Sequence, residues 1–403
     1  MNRSNGGGTG IGAGGGTGTG VGGGANLRAP RSHNTALVLD LLRTAGAEGI
    51  SRLELAERTG LTPQAVSKIT ARLRGEGLAV EAGRRASTGG KPRTVLRLVP
   101  GAGHALGVHL DRDELRAVLV DLDGTVIGER RAPLDLGAGA ETVLEEVART
   151  AEELTTEWLG AADAGGVRSP GGVLAAVPTL LGLGVALPGP LDHVRGVLHR
   201  VTGFPEWDGY PLRDALERRL GVPVVVDKDT NAAALGLAVG GEDGAGDGSF
   251  AYLHLGTGLG AGLVFGGGVH RGARTGAGEF GHQVVQLDGP PCTCGARGCI
   301  EALCLAAVAR GDLAEAARVL GTGAANLAGL LDIDLVLLGG RTVAAAPEAF
   351  VHGVGAVLDA RARREGGHDD AVPVRLAPGG PRGVAEGAAQ LLLAPLFGRG
   401  DGS

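Results

Sequence analysis

The chain has 403 residues, of which 43% are hydrophobic and 20% charged, so it can bury at least one sizeable core and a single small domain is excluded. Its net charge of −6 is unevenly placed. Residues 27–99, the head, carry 13 Lys and Arg against 6 Asp and Glu, whereas residues 100–403, the body, carry 24 against 38. This difference in charge predicts that the head binds a polyanion and that the body has a different function.

Residues 1–27 are mostly Gly with Thr and Asn, and we predict a disordered tail because such a stretch cannot offset its chain entropy by burying apolar area. No basic end followed by an apolar run is present, so we expect a cytoplasmic protein without a secretory signal. The longest uncharged stretch, 169–191, contains four prolines. We therefore expect a buried strand with its loops there and no contact with a membrane.

Three helices are predicted in residues 28–99. Apolar spacing marks a first helix from His33 to Gly46 and a second, shorter one from Ser51 to Gly60. Thr62 is a candidate N-cap followed by Pro63 at the first helical position, which predicts the start of a third helix. With its apolar face buried, this helix presents four polar side chains outward: Gln64, Ser67, Lys68 and Arg72.

A basic hairpin is predicted after the third helix. Strands at 78–81 and 94–99 flank a glycine-containing turn that carries Arg84, Arg85, Lys91 and Arg93. Each feature by itself also fits a small packing module with a solvated charged face. Their order along the chain favours a winged helix-turn-helix that binds DNA, with the outward groups of the third helix meeting base edges and phosphates.

The acidic body, residues 100–403, contains two copies of one strand pattern. Apolar strands at 105–110, 115–122 and 125–131 form one meander, and strands at 250–255, 261–265 and near Val269 form another. Helical periodicity from Thr142 to Trp158 follows the first copy. This repeat predicts an α/β body of two similar lobes that face each other across a cleft.

Two segments of the body suggest ligand contacts. A short strand at Val224–Val226 ends at Asp227–Asn231 and is followed by a predicted helix from Ala232 to Ala238. Polar residues at the carboxyl end of a buried strand are typical ligand contacts, although Asp229 or Thr230 could equally cap the helix. The turn Gly256–Gly262 could bring backbone N–H groups close to a phosphate, or could be only a tight hairpin.

All four cysteines lie between residues 292 and 304, too close together for disulfides to link distant parts of this fold. His282, Cys292, Cys294 and Cys299 offer one imidazole and three thiolates, which satisfy tetrahedral Zn²⁺ completely. We therefore predict a structural zinc loop at 282–301, against the alternative of three exposed, oxidisable thiols without a role. Cys304 is predicted to be a buried spectator.

Taken together, these segments resemble the ROK family of repressors, open reading frames and sugar kinases, and in particular its winged-helix transcriptional regulators. The resemblance covers nearly everything from residue 33 to 398. Its segments are Thr62-Pro63, Thr88–Arg93, Gly184–Asp192, Asp227–Ala232, Gly276–His282 and Cys292–Glu301.

This resemblance implies a two-lobed, actin-like (ribonuclease-H-like) sugar-kinase fold with a sugar in the cleft. Asp229 matches the general base of the kinases. Glu279, His282 and Glu301 match sugar-contacting residues, and His282 also matches a zinc ligand. The family's regulators pair, so a homo-oligomer, a dimer or a tetramer, is expected.

Three departures from the family pattern bear on activity. The kinases carry an Asp-x-Gly-Gly-Thr phosphate hairpin where this chain has His109-Leu110-Asp111-Arg112-Asp113. We expect Asp111 and Arg112 to block close approach of phosphate and Asp113 to add a like charge. Lys228 replaces the usual asparagine before the catalytic-position Asp229. The stretch between Glu301 and Leu335 is short, so part of the second lobe is expected to be trimmed.

We predict a non-enzymatic transcriptional regulator, a repressor, whose kinase-like body senses a sugar or sugar derivative while the head binds operator DNA. The loss of the phosphate hairpin and the charge split favour this reading. One alternative is an active, glucokinase-like ATP-dependent sugar kinase with an appended DNA-binding domain. Another is a DNA-binding protein whose body is only a dimerisation scaffold.

Overall fold

The computed structural model describes residues 32–85, 93–160, 172–175, 177–201, 203–241, 248–366 and 371–399. The predicted tail and the turn of the basic hairpin, including Lys91, lie outside these residues, as do the side chains of Arg84 and Arg85. No helix in the described part of the chain is long and apolar enough to cross a membrane.

The head is a winged helix-turn-helix, as predicted. Its elements are α1 (His33–Thr44), α2 (Arg52–Thr59), α3 (Pro63–Gly75), β1 (Ile50–Ser51), β2 (Ala79–Arg85) and β3 (Arg93–Leu98). Ser51 and Glu54 form a capping box at α2, and the Thr62 hydroxyl caps α3 by accepting from the backbone N–H of Ala65 at 3.2 Å. The hairpin strands β2 and β3 form a three-stranded sheet with β1, which the sequence did not predict.

Two five-stranded sheets of identical topology form the body. The first contains β4 (His104–Leu110), β5 (Glu114–Asp121), β6 (Val126–Pro133), β7 (Leu180–Leu187) and β10 (Val224–Lys228). The second contains β11 (Phe250–Leu255), β12 (Leu259–Phe265), β13 (Gly268–Val269), β14 (Leu335–Gly339) and β15 (Val374–Leu376). In each, an antiparallel three-stranded meander is extended by two parallel strands, in the orders β6-β5-β4-β7-β10 and β13-β12-β11-β14-β15. The second sheet therefore has the same number and order of strands as the first, and the short stretch between Glu301 and Leu335 forms helices.

Helices cover both faces of each sheet. The first lobe contains α4 (Ala140–Leu159), α5 (Gly172–Ala175) and α6 (Leu212–Leu220), with a small ribbon of β8 (Leu191–Asp192) and β9 (Val197–Leu198). The second lobe contains α8 (Ile300–Ala309), α9 (Leu313–Leu331), α10 (Arg341–Ala345) and α11 (Pro347–Arg364). The long uncharged stretch thus supplies strand β7, buried at every position, as predicted.

Two helices pack between the sheets, α7 (Asp229–Gly240) and α12 (Gly383–Leu393). Glycines allow close approach of α12 to the first sheet: a Cβ at Gly107 would lie 2.0 Å from the Ala385 carbonyl oxygen, and one at Gly184 would lie 1.8 Å from that of Ala388. Helix α12 follows the second lobe in the chain and packs on the first sheet. The chain therefore returns to the first lobe after forming the second.

The head is joined to the body by the segment after α12. Phe397 is buried in one apolar cluster with Val38 and Leu42 of α1, and the guanidinium of Arg43 lies 5.1 Å from the centre of its ring. Arg399 forms an ion pair with Asp40 at 3.1 Å. One continuous segment therefore contacts the first lobe, helix α7 and the head.

Candidate functional site

The first acidic residue after the β10 valines, Asp227, is structural. Its side chain is 1% exposed, and its two oxygens accept from Arg271 Nε at 2.6 Å and from Asn231 Nδ2 at 2.9 Å. Both acceptors are therefore engaged, and this carboxylate holds the end of β10 against the loop that follows β13.

Asp229 is the first residue of α7, which begins three residues before the predicted position. It is half-buried, and its Oδ1 accepts from the backbone N–H of Thr230 at 2.6 Å. Burial lowers the pKa of His109 in the first lobe, a shift that the negative charge of Asp229 opposes, whereas burial and then Asp229 raise the pKa of Tyr252 in the second lobe. Asp229 thus lies between the lobes.

Lys228 is almost completely buried and reaches the loop that carries Glu279. Its Nζ donates to the carbonyl oxygen of Ala277 at 2.5 Å and to Glu279 Oε1 at 3.1 Å. Gly189 leaves room for the lysine stem, because a Cβ there would lie 2.7 Å from Lys228 Cδ. One oxygen of Glu279 is therefore oriented by a buried cation, while the glutamate side chain is 43% exposed.

Glu301 and His282 lie on neighbouring segments of the second lobe. Glu301, in the first turn of α8, is buried and accepts from the backbone N–H of Leu259 at 2.9 Å. A Cβ at Gly281 would lie 3.2 Å from Glu301 Cβ, so the loop carrying His282 packs directly on this helix. The structure therefore places His282 and Glu301 on adjoining segments.

The four predicted metal ligands form one cluster. The ligand atoms of His282, Cys292, Cys294 and Cys299 all lie within 4.8 Å of one another. Two of the separations, Cys292 Sγ to His282 Nδ1 and Cys294 Sγ to Cys299 Sγ, are 3.7 Å, which suits neighbouring ligands of a tetrahedral ion at bond lengths of about 2.0–2.3 Å. This donor set could hold a metal ion.

The cysteine ligands of the cluster differ in acidity. A backbone hydrogen bond involving Ala296 lowers the pKa of Cys294, whereas burial raises the pKa of Cys299 to about 12. A bound cation would therefore have to displace a proton from Cys299. The fourth cysteine, Cys304, is fully buried and donates to the carbonyl oxygen of Ala316 at 3.4 Å, as expected of a spectator.

The carboxylates of the hairpin between β4 and β5 pair with a cation of the second lobe. Arg341, the first residue of α10, forms ion pairs with Asp111 at 3.0 Å and with Asp113 at 2.7 Å. The hydrogen bond from Arg341 also lowers the pKa of Asp113. The hydroxyl of Thr257 donates to Asp111 at 3.0 Å. The first lobe is thus tied to the second by charge pairing, and the expectation that this hairpin obstructs phosphate stays a prediction.

Arg112 extends from the same hairpin toward the loop that contains Gly203 and Phe204. Its guanidinium lies 5.6 Å from the centre of the Phe204 ring, and a Cβ at Gly203 would lie 3.4 Å from its Nη1. A Cβ at Gly258 of the second lobe would lie 4.0 Å from Arg112 Nη2, so the side chain predicted to obstruct the hairpin lies between Phe204 and the turn of the second lobe.

A histidine pair at the cleft was not predicted from sequence. His109 and His254, on opposite lobes, meet edge to face with ring centres 6.4 Å apart, and His254 Nδ1 lies 2.9 Å from the Tyr252 hydroxyl. Burial lowers the pKa of His109, and its Nε2 has no hydrogen-bond partner among the described residues. Together with Arg341, these side chains line a cavity of about 940 Å³. Both rings lie in strands predicted from the sequence, at 105–110 and 250–255, but no local signal pairs them.

The predicted DNA-contacting residues are exposed where the structure describes their side chains. Gln64, Ser67 and Lys68 on α3 are exposed, as is Arg93 on β3. Arg72 is exposed too, but its Nη2 donates to the Thr35 hydroxyl at 2.6 Å and its Nε lies 3.7 Å from Glu76. Arg72 therefore also stabilises the helix packing of the head.

Comparison with known proteins relates this chain to one family. The model of the ROK family matches residues 106–311. The xylose repressor of Caldicellulosiruptor bescii is 30% identical over 62% of this chain and 59% of its own length. The DNA-binding transcriptional dual regulator NagC of Escherichia coli is 30% identical over 69% of this chain and 64% of its own length. The chain thus spans about three fifths of each of these two relatives.

Solved structures give the same relationship. A ROK family transcriptional regulator, homologous to the E. coli MLC protein, superposes with a TM-score of 0.70 over 91% of this chain and 98% of that chain, at 20% identity. A ROK hexokinase from Thermus thermophilus has a TM-score of 0.53 and 31% identity, over 71% of this chain and 96% of that chain. The regulator superposition includes most of the chain, whereas the hexokinase match covers less of it.

Proposed function

Because this chain belongs to the ROK family, we propose that it is a DNA-binding transcriptional regulator, a repressor, whose two-lobed body senses a sugar or sugar derivative without phosphorylating it. The observation that carries this proposal is the state of the hairpin between β4 and β5, which stands where the kinases have their phosphate hairpin. This hairpin has no glycine whose backbone could cradle a nucleotide phosphate, and its carboxylates, Asp111 and Asp113, are paired with Arg341 of the opposite lobe.

The head supports the DNA-binding half of the proposal. Exposed Gln64, Ser67 and Lys68 lie along α3, the position of a recognition helix, and Arg93 lies on the adjoining wing strand. The names of two relatives, a xylose repressor and a DNA-binding transcriptional regulator, agree with this assignment. We propose operator DNA as the partner, read by a homo-oligomer through two half-sites.

The cleft supports the sensing half. Carboxylates accept hydrogen bonds from neighbouring sugar hydroxyls, and Asp229, Glu279 and Glu301 supply three carboxylates from three separate segments. His282 adds an imidazole that a metal ion would orient. We propose that this ion is a structural Zn²⁺ held by His282, Cys292, Cys294 and Cys299, which would stabilise the loop leading to Glu301.

The end of the chain offers a physical connection between cleft and head. Helix α12 packs against α7, whose first residue is Asp229, and the following segment packs Phe397 against α1. A sugar that moves one lobe against the other would therefore displace the support on which the head is docked.

The proposal is tested with the full chain in two steps. Genomic fragments retained by the immobilised protein identify a specific duplex, and a thermal-shift screen identifies the sugar that raises the unfolding temperature. We expect that sugar to change the affinity for the duplex by about tenfold or more, a coupling free energy of about 1.4 kcal/mol. Retention of no fragment above random DNA would contradict the DNA-binding half, and a sugar that binds without changing duplex affinity would contradict the coupling.

The kinase alternative has its own test in Asp229→Asn. We expect the wild-type chain to consume ATP at the baseline rate with every sugar, and the variant to alter only the thermal shift that the sugar produces. Sugar-dependent ATP turnover abolished by this substitution would instead establish the kinase. The absence of any sugar-induced shift in the wild-type chain would favour the scaffold alternative.

A further inference from the structure

Three hydrogen-bond donors from separate segments converge on the carboxylate of Asp111. The backbone N–H of Arg112 donates to Oδ1 at 2.8 Å and the hydroxyl of Thr257 donates to Oδ1 at 3.0 Å. Arg341 Nη2 donates to Oδ2 at 3.0 Å. Thr257 and Arg341 belong to the second lobe, whereas Asp111 belongs to the first, so this carboxylate is held across the cleft.

This donor set is of the kind that binds phosphate-like oxyanions. A hydroxyl on a glycine-rich turn, a guanidinium and a backbone N–H together offer directed donors and a positive charge. The turn Gly256–Gly262 was identified from sequence as able to approach a phosphate, and Thr257 is its second residue. These donors therefore form an anion site, and the Asp111 side chain of the same chain fills it.

The two hairpin carboxylates differ in how they meet Arg341. Asp113 is 62% exposed and accepts from both guanidinium nitrogens, at 3.0 and 2.7 Å, on the solvent side. Asp111 is 19% exposed and has the additional contact to Thr257. Asp111, not Asp113, is thus the carboxylate enclosed by donors from both lobes.

We propose that the second lobe carries an oxyanion site whose resident anion is the Asp111 carboxylate, and that Asp111 determines specificity by excluding phosphate groups from the cleft. This inference rests on the proposed function in one respect: it takes the cleft to be a site that binds a ligand without phosphoryl transfer. Removal of this carboxylate frees the Thr257 hydroxyl and one N–H of Arg341 Nη2 to bind a phosphate-type ligand, while Asp113 keeps its pair with the guanidinium.

Titration of the full chain with inorganic pyrophosphate at low salt tests this proposal, with Asp111→Ala as the variant. The wild-type carboxylate competes for the same donors, so we expect Asp111→Ala to bind pyrophosphate about tenfold or more tightly than the wild type. Added salt should weaken the gained binding, because the contact is between charges.

Two matched variants separate the site from a general change in charge. Asp113→Ala removes the neighbouring carboxylate and the same unit of charge but leaves Asp111 in place, so no comparable gain is expected. The double variant Asp111→Ala/Arg341→Ala should return to the wild-type affinity. An equal gain in Asp113→Ala, or a gain that survives the loss of Arg341, would overturn the proposal.

Circular dichroism and thermal unfolding establish that each variant is folded. If Asp111→Ala does not fold, the isosteric Asp111→Asn removes the charge while keeping the side-chain volume, and we expect a smaller gain of about threefold. If the folded variant binds pyrophosphate with no more than the wild-type affinity, the inference is refuted. Wild-type DNA and sugar binding are measured separately, so failure of the proposed function would not be mistaken for failure of this site.

Discussion

The ammonium of Lys228 lies 3.1 Å from Oε1 of Glu279, 51 residues away in the chain, and it is the buried member of the pair. The buried ammonium of Lys228 therefore orients a glutamate that lies on an exposed loop. The lysine also bonds the carbonyl oxygen of Ala277, so it fixes both the backbone and the side chain of the loop leading to His282. Lys228 is in this sense a positioning residue of the candidate sugar site.

We expect Lys228→Met to weaken the sugar response more than it weakens the fold. Glu279 is exposed enough to be solvated again, so the free energy of unfolding should fall by only about 1 kcal/mol, while the glutamate loses its fixed orientation. A double-mutant cycle with Glu279→Gln, followed by chemical denaturation, should give a coupling energy of about 1 kcal/mol. Additive effects in this cycle would mean that the two side chains do not stabilise each other.

Cys294→Ser should reduce the metal content, because the four-ligand cluster loses one thiolate. Elemental analysis of the purified chain should give about one Zn²⁺ per chain for the wild type and far less for the variant, with a lower unfolding temperature. Cys304→Ser is the matched control, since this buried thiol lies outside the cluster and should leave the zinc content unchanged. A wild-type chain purified without zinc would contradict the site.

Lys68→Ala should weaken binding to every duplex and reduce the salt dependence by about one counterion, because a lysine at this position of α3 is expected to meet phosphate. Gln64→Ala should cost about 1–3 kcal/mol on the specific duplex and little on random DNA, as expected for a contact to a base edge. Fluorescence anisotropy at several salt concentrations measures both effects. Arg318→Ala, an exposed body residue paired with Glu315, controls for the lost charge. Equal losses in all three variants would contradict the assignment of α3.

His109 should make stability depend on pH in the mildly acid range. Burial lowers its pKa in the folded chain, so below the ordinary histidine value of about 6.5 the unfolded chain binds a proton that the folded chain does not. Stability from the neutral ring is therefore present above about pH 6.5 and is lost as the pH falls below it, by at most about 1.4 kcal/mol per pH unit.

Chemical denaturation between about pH 5 and 7 measures this slope, which should be shallower in His109→Gln than in the wild type. His104, whose pKa burial also lowers, is present in both proteins and cancels in the comparison. The exposed His352→Gln is the control and should keep the wild-type slope. An unchanged slope in His109→Gln would show that this ring titrates similarly in the folded and unfolded chains.

The sequence by itself determined the local elements. Apolar periodicity and the Thr62-Pro63 cap predicted the head helices, and alternating strands separated by turns predicted the two meanders, because these signals act between residues close in the chain. The metal ligands were found for the same reason: all four lie within 18 residues, from His282 to Cys299. The repeat of the meander predicted two lobes that face each other across a cleft, and the resemblance to a family then implied an actin-like fold.

Only the tertiary structure decided which charged groups meet across the cleft. Arg341 and Asp113 are 228 residues apart, and no local pattern distinguishes Arg341 from the other exposed arginines. The same holds for Lys228, which the sequence identified as a departure but could not pair with Glu279, and for the contact between His109 and His254. These contacts depend on how two separately formed lobes pack through α7 and α12, and this packing follows from the shape of buried surfaces and not from the spacing of residues along the chain.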